Sequence, residues 1–257
     1  MNRQLIFTAL LLIISTSGTA IGQQSDLAVV KTIQLTSTLD GFDGTLELLE
    51  DGRITPEVQK ELWGMGYPDT AFYGDAERIK LLTVPALKHA VLRLEDAHHE
   101  IVYKKTLERE LARIQVEALH PGQRTILITT DLSIGMGSYA GPSTELYQVS
   151  SRRLEAVTAR YEKTGEVDPI QMMSSLKTAW KLASPGPGET NQKDILELAC
   201  RPNWEVENTK FFKIYSRYHW DGKQWVLYGK KVPGMWESDD GFPPSQRFPG
   251  PAMQRTK

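Results

Sequence analysis

The sequence predicts a mainly β fold, an antiparallel meander forming a sandwich-like or strongly curved sheet, with a small partly helical N-terminal segment. Three observations carry this. From Ile79 onward, apolar residues recur with period two in short runs. Those runs are separated by Gly, Pro, Asp and His clusters rather than by helical segments, which argues against βαβ units. The run KFFKIYSRYHWDGKQWVLYGKK places Asp221-Gly222 between two alternating aromatic stretches, the strongest short-range hairpin signal. The expected organisation is a signal peptide over 1–22, the partly helical segment over 23–77, a β-rich domain over 78–237 and a Pro-rich flexible tail over 238–257.

The chain has 257 residues, 40% hydrophobic and 24% charged, with a formal net charge of −2. Positive and negative residues are interspersed, so nothing resembles a nucleic-acid footprint or a polybasic membrane patch. Arg3 begins an N-terminus in which Leu5 to Ile14 is apolar except for Thr8, and STSGTAIG follows. Ala20 and Gly22 supply small residues at the positions a signal peptidase requires, which predicts export after cleavage at Gly22, to the periplasm or the medium. The apolar run is about half the roughly 20 residues of a membrane span, so no integral span is expected after cleavage. Cys200 is the only cysteine. An internal disulfide is therefore excluded, and the residue reads as a small apolar member of a strand.

Taken in order, Thr55-Pro56 opens a short amphipathic helix over 56–65, with Val58, Leu62 and Met65 on one stripe. Asp51, Gly52 and Ile54 imitate part of an EF-hand loop, but Leu49 and Val58 stand where positions 3 and 12 need ligands. An Asp-Gly turn is the simpler reading. Strands are expected at 79–84, 88–95, 100–106, 110–118, 124–131, 143–150, 153–160 and 195–200. Residues 96–99 and 120–123 are turns between them. The stretch 170–183 fits helix or strand, and 184–194 is a loop. In the Asp221-Gly222 hairpin, a two-residue turn sets Tyr218 opposite Trp225. After Trp236 the four prolines and the lack of periodicity suggest a tail that is disordered or laid along the surface.

The most unusual chemistry is at 129–149, TTDLSIGMGSYAGPSTELYQV, where a glycine-rich loop joins two strands. Gly135-x-Gly137-x-x-Ala140 imitates a dinucleotide fingerprint, but a strand follows where that motif needs a helix N-terminus. Ser138 has glycines one before and three after it, not two and two as in a nucleophile elbow. What remains is an oxygen-rich, strand-end contact surface. Its candidate ligand-binding residues are Asp131, Ser133, Ser138, Tyr139 and Glu145. The tryptophan-bearing turns are a second candidate surface, although large rings more often fill a β core. His98 and His99 are adjacent, so on a strand they point to opposite faces. No spaced ligand set appears, and neither a metal nor a cofactor is expected.

Lacking an assembled catalytic motif, the sequence points to an exported, non-enzymatic binding or envelope-associated module. Its partner would be a small ligand, a glycan or an envelope protein. The alternative is a secreted hydrolase using Asp131, Ser138 or Glu145 with a distant histidine. That reading requires those side chains to converge in one cleft.

Overall fold

The computed structural model describes residues 26–54, 87–130, 137–139, 141–184, 192–203 and 210–251. The signal peptide, the helix expected over 56–65, the strand expected over 79–84 and most of the glycine-rich stretch lie outside the described residues.

Three sheets stack face to face, so the fold is mainly β, largely antiparallel and sandwich-like. The front sheet begins with β1 (Leu27–Leu35), a one-turn helix α1 (Ser37–Asp40) and β2 (Gly44–Asp51). It continues with β3 (Val91–Asp96) and β4 (Ile101–Thr106), in the order β1-β2-β3-β4. Because β2 pairs with β3, residues 27–51 belong to the same sheet as 91–106, and the segment expected to be partly helical is largely strand where it is described. The middle sheet holds β5 (Ala112–Glu117), β6 (Thr125–Thr130) and β7 (Ser143–Ser150), with β8 (Arg153–Ala156) on the far side of β7.

The stretch expected as one strand over 153–160 is two strands in different sheets. After β8 the chain turns at buried Val157 into β9 (Thr158–Tyr161) and β10 (Val167–Pro169) of the back sheet. It returns at buried Ile170 to β11 (Gln171–Met173), which joins β7. Leu146 holds both corners, its carbonyl accepting the Val157 N–H at 2.9 Å and its N–H donating to the Ile170 carbonyl at 3.4 Å. Strands that switch sheets at such bends are how stacked sheets make corners. Then β12 (Thr178–Ala183), β13 (Asp194–Asn203), β14 (Lys210–Trp220) and β15 (Trp225–Pro233) complete the back sheet, in the order β10-β9-β15-β14-β13-β12. Its β9–β15 pair is parallel. The ambiguous 170–183 stretch is thus strand.

The middle sheet is apolar on both faces. Ile126, Ile128, Tyr147 and Val149 meet Leu46, Leu48, Leu92 and Leu94 of the front sheet. Leu127 and Leu146 point the other way, onto Ile195, Tyr218 and Trp225 of the back sheet. A half-buried ion pair ties the front corner down: the Arg124 guanidinium donates to buried Asp40 through Nε at 2.8 Å and through Nη2 at 2.5 Å.

The hairpin forms, but its register differs from the expected one. Trp220 faces Trp225 and Tyr218 faces Leu227. The Asp221 carboxylate accepts the N–H groups of Lys223 and Gln224, both at 2.9 Å, which moves the turn one residue on, to Gly222 (φ +98°) and Lys223. Moving a turn by one residue moves each partner by two, so every side chain keeps its face. The two indoles gain an edge-to-face contact at 5.9 Å.

Nor is the C-terminal segment a free tail up to Pro251. Trp236 and Phe248 are buried on Leu196, Leu198 and Tyr215, closing the outer face of the back sheet. Phe248 stacks on Phe242 at 5.4 Å, and the Arg217 guanidinium donates to the Ser245 carbonyl at 2.8 Å. Prolines exclude this strap from a ladder, and its aromatic rings supply the attachment instead.

Two glycines separate close packing from open space. A Cβ on Gly141 would stand 1.8 Å from the Ser174 carbonyl oxygen, beside the hydrogen bond from the Ser174 N–H to the Pro142 carbonyl. One on Gly229 meets no described atom within 4 Å. Gly141→Ala should therefore lose about 1–3 kcal/mol in urea unfolding, whereas Gly229→Ala should be unchanged or gain up to about 1 kcal/mol.

Candidate functional site

Asp131 and Ser133 lie outside the described residues. Ser138 and Tyr139 sit in a 3₁₀ turn, Gly137–Tyr139, and Glu145 sits on β7. The last three do not share a cleft. The Ser138 carbonyl accepts the Lys177 N–H at 3.1 Å, beside the back sheet, and the Tyr139 ring has the Arg201 guanidinium 5.3 Å from its centroid. Glu145 shares the opposite side of the middle sheet with Tyr147 and Val149, which face the front sheet. Among the described residues, the Ser138 side chain bonds to no histidine or carboxylate.

Around Glu145, a polar site is built from two alternating strands. β4 (IVYKKT) directs Lys105 inward, and β7 (STELYQV) places Glu145 and Tyr147 two apart on one face. The Lys105 ammonium donates to the Tyr147 phenol oxygen and lies 4.2 Å from the centroid of that ring. The phenol in turn donates to the Glu145 carboxylate. Burial, then the hydrogen bond to Glu145 and the nearby Glu145 and Glu108 charges, hold the phenol well above its ordinary range. Tyr147 therefore stays protonated and passes hydrogen bonding one way, from Lys105 to Glu145. An inward lysine on an edge strand also discourages pairing with another chain.

A cavity of about 210 Å³ opens beside this relay. Lys105, Thr106 and Glu108 border it on one wall, and Thr130, Glu145 and Tyr147 on the other. It holds one cation, two carboxylates and two threonine hydroxyls within reach of a single small molecule. Thr130 is the last described residue before the glycine-rich stretch. A larger cavity, about 500 Å³, separates β1 and β2 from β5 and extends to Ile54. Its buried carboxylate, Glu50, is committed to the Ala112 N–H at 3.0 Å.

The histidines and aromatics are mostly structural. The His120 ring lies 4.0 Å from Trp220 in a parallel stack. Its Nδ1 lies 2.9 Å from the Pro121 carbonyl, which only a donor can satisfy, so Nε2 accepts from the Gln148 amide at 3.0 Å. His219 lies 2.8 Å from Asp194, which also binds Arg217 at 2.6 Å. This acid–imidazole pair is on the strap side of the back sheet, two sheets away from Glu145. Trp225 is buried between the middle and back sheets, where Trp180 and Trp220 also pack, and Trp236 is buried on the outer face of the back sheet, so the described tryptophans serve packing rather than form a contact surface. Asp51 is likewise no calcium ligand: its oxygens take the Arg53 guanidinium and the Lys88 N–H. Among the described residues, no group of three or more His, Cys, Asp or Glu could hold a metal ion. None of their helices is long and apolar enough to cross a membrane.

Sequence reasoning did not find Glu197, which faces the middle sheet from β13. Burial pushes its carboxyl up to about 7, opposed by the Met173 N–H and the Arg201 charge. Its alternation in ILELACR marks the face, but the desolvation depends on β11, which is distant in sequence. A carboxyl whose folded pKa lies above its ordinary 4.5 binds more protons folded than unfolded between those values. Its contribution to stability is therefore full below about 4.5 and is lost as pH rises through about 7. Urea midpoints at pH 5 and pH 8 should show the wild type losing stability relative to Glu197→Gln, by on the order of 1–3 kcal/mol. Equal pH dependence in the two proteins would contradict the burial assignment.

Comparison of the chain with known protein families, curated proteins and solved structures gives no match, so the function is argued from the site alone.

Proposed function

We propose that the protein is an exported, non-enzymatic binding module that takes a small zwitterionic ligand at the Lys105–Tyr147–Glu145 cavity. One observation carries this reading: opposite charges and hydroxyls border a single opening at the strand ends, next to the most unusual loop of the sequence. At about 210 Å³ the space is below the roughly 300–1,000 Å³ of drug-sized ligand sites and suits an amino acid or the end of a peptide. A ligand carboxylate would meet Lys105, and a ligand ammonium would meet Glu108 and Glu145. The relay through Tyr147 fixes Lys105 before binding, which reduces the ordering cost. Export rests on the basic start, apolar run and small-residue cleavage site of residues 1–22.

The hydrolase alternative gains nothing from this geometry. Ser138 and Glu145 face different clefts, and neither is bonded to a histidine among the described residues.

Titration calorimetry of the mature chain against a panel of amino acids and dipeptides tests the proposal. At least one zwitterion should bind, Lys105→Met should weaken it roughly tenfold or more, and Tyr147→Phe should weaken it less. Silence across the panel, or unchanged affinity in Lys105→Met, would sink it. Cell fractionation with N-terminal sequencing tests export, and the mature chain is expected to begin at Gln23.

A further inference from the structure

The back sheet is longer than the layer that covers it. β13 and β14 run for 10 and 11 residues, whereas β6 and β7 run for 6 and 8. Apolar contact with the middle sheet gathers at the hairpin end, on Ile195, Tyr218, Trp225 and Leu227. Further along the same face lie three cross-strand rows. They are Glu197–Ser216–Gly229, Ala199–Ile214–Lys231 and Arg201–Phe212–Pro233. Strand spacing and rise make this patch about 10 Å by 13 Å. Gly229 and Lys231 are exposed on it, and Ser216, Ile214 and Phe212 are half-buried.

Two features there have no role in the fold itself. Gly229 interrupts the middle of β15 without a positive φ, and a Cβ would meet no described atom within 4 Å, so neither the backbone nor the described packing demands glycine. Glycine inside a strand weakens it and often marks the close approach of a ligand. The two cations of the patch are held over aromatic rings rather than in ion pairs. The Arg201 guanidinium is 5.3 Å from the Tyr139 centroid, and the Lys231 ammonium is 4.2 Å from that of Phe212.

We propose that this face binds an acidic glycan, with a sugar ring lying flat on the Ser216–Gly229 floor and its carboxylates meeting Arg201 and Lys231. The absent side chain at Gly229 lets a flat ring reach the strand. The aromatic rings offer faces to the C–H side of a sugar, and neither cation is held in a salt bridge among the described residues, so both can meet a ligand carboxylate. Glu197 closes the floor. The Met173 N–H of β11 and Arg201 of β13 act on it directly, Tyr218 of β14 and Tyr161 of β9 lie near it, and Trp180 of β12 stands opposite. No histidine is among them. Below pH 7 the Glu197 carboxyl is protonated and donates to a sugar hydroxyl; above it the carboxylate repels an acidic ligand. Affinity therefore falls as pH rises through about 7. This face and the Glu145 cavity lie on opposite sides of the middle sheet, so each proposal fails separately.

Calorimetry at low salt tests it, with oligogalacturonate as the probe, maltohexaose as its neutral counterpart and a single-stranded oligonucleotide as a polyanion without sugar carboxylates. At pH 6 oligogalacturonate should bind, and maltohexaose should bind at least roughly tenfold more weakly. Arg201→Met and Lys231→Met should each lower affinity about tenfold. Gly229→Val, whose new side chain enters open space, should fold normally by thermal unfolding and abolish binding. Glu197→Gln should match the wild type at pH 6 and lose its decline toward pH 8. No binding of oligogalacturonate, undiminished binding by folded Gly229→Val, or equal affinity for the oligonucleotide would each overturn the proposal. Lys231→Met alters only an exposed side chain, so it keeps the test valid should Arg201→Met fail to fold.

Discussion

A sheet with two apolar faces cannot be exposed on either, and the middle sheet imposes that requirement on the rest of the chain. Ile126, Leu127 and Ile128 are consecutive on β6, and all three are buried, the outer two toward the front sheet and Leu127 toward the back. A strand covered on one side would alternate; this one does not, because each neighbour sheet takes every second residue. The two covers must come from the same chain, before and after these strands. The corners at Val157 and Ile170 are a consequence. They move the chain from the middle sheet to the back sheet and return it without leaving the Leu146 backbone groups unpaired.

Covering the back sheet on its inner face leaves its outer face apolar, since Leu196, Leu198 and Cys200 alternate with Ile195 and Ala199 along β13. That face is closed by the strap carrying Trp236, Phe242 and Phe248. Cys200 is fully buried there, in keeping with a small apolar residue of a strand. The strap is thus required by the alternation of β13, although its own sequence has no periodicity.

The legible parts of the sequence were those decided locally. Strand periodicity at 101–106 and 143–150 reflects which residues face a neighbour, while the short β-branched run at 125–130, bounded by turn residues, marks a strand covered on both faces. The Asp221-Gly222 hairpin was legible as an element but not in register, because the competition between Asp221 as a central turn residue and Asp221 as an acceptor for Lys223 and Gln224 is settled partly by the Trp220–Trp225 contact. The split of 153–160 and the anchoring of 236–251 depend on distant partners. For the candidate site the division is similar. Glu145 and Tyr139 were found from the loop they flank, whereas Lys105, Arg201 and Glu197 come from distant strands and Glu108 from the connection after β4. Nothing in IVYKKT or ILELACR distinguishes these from solvated charges.

Both proposed surfaces arise where the layers fail to match. Among the described residues β4 is an edge strand of the front sheet, and the Lys105 cavity opens there, where the front and middle sheets part. The acidic-glycan face lies where β13, β14 and β15 outrun β6 and β7. In a stack of sheets the interior is committed to packing, so polar chemistry is confined to such margins. The same geometry explains the charges found there. Within the stack a cation would need a carboxylate partner, as Arg217 has in Asp194. At the margin, aromatic faces suffice to hold Lys105, Arg201 and Lys231 in place while one side of each remains toward solvent. Residues 137–139 and 141 belong to this margin as well. Gly141 stands against Ser174 with no room for a side chain, and Tyr139, two residues before it, lies under Arg201.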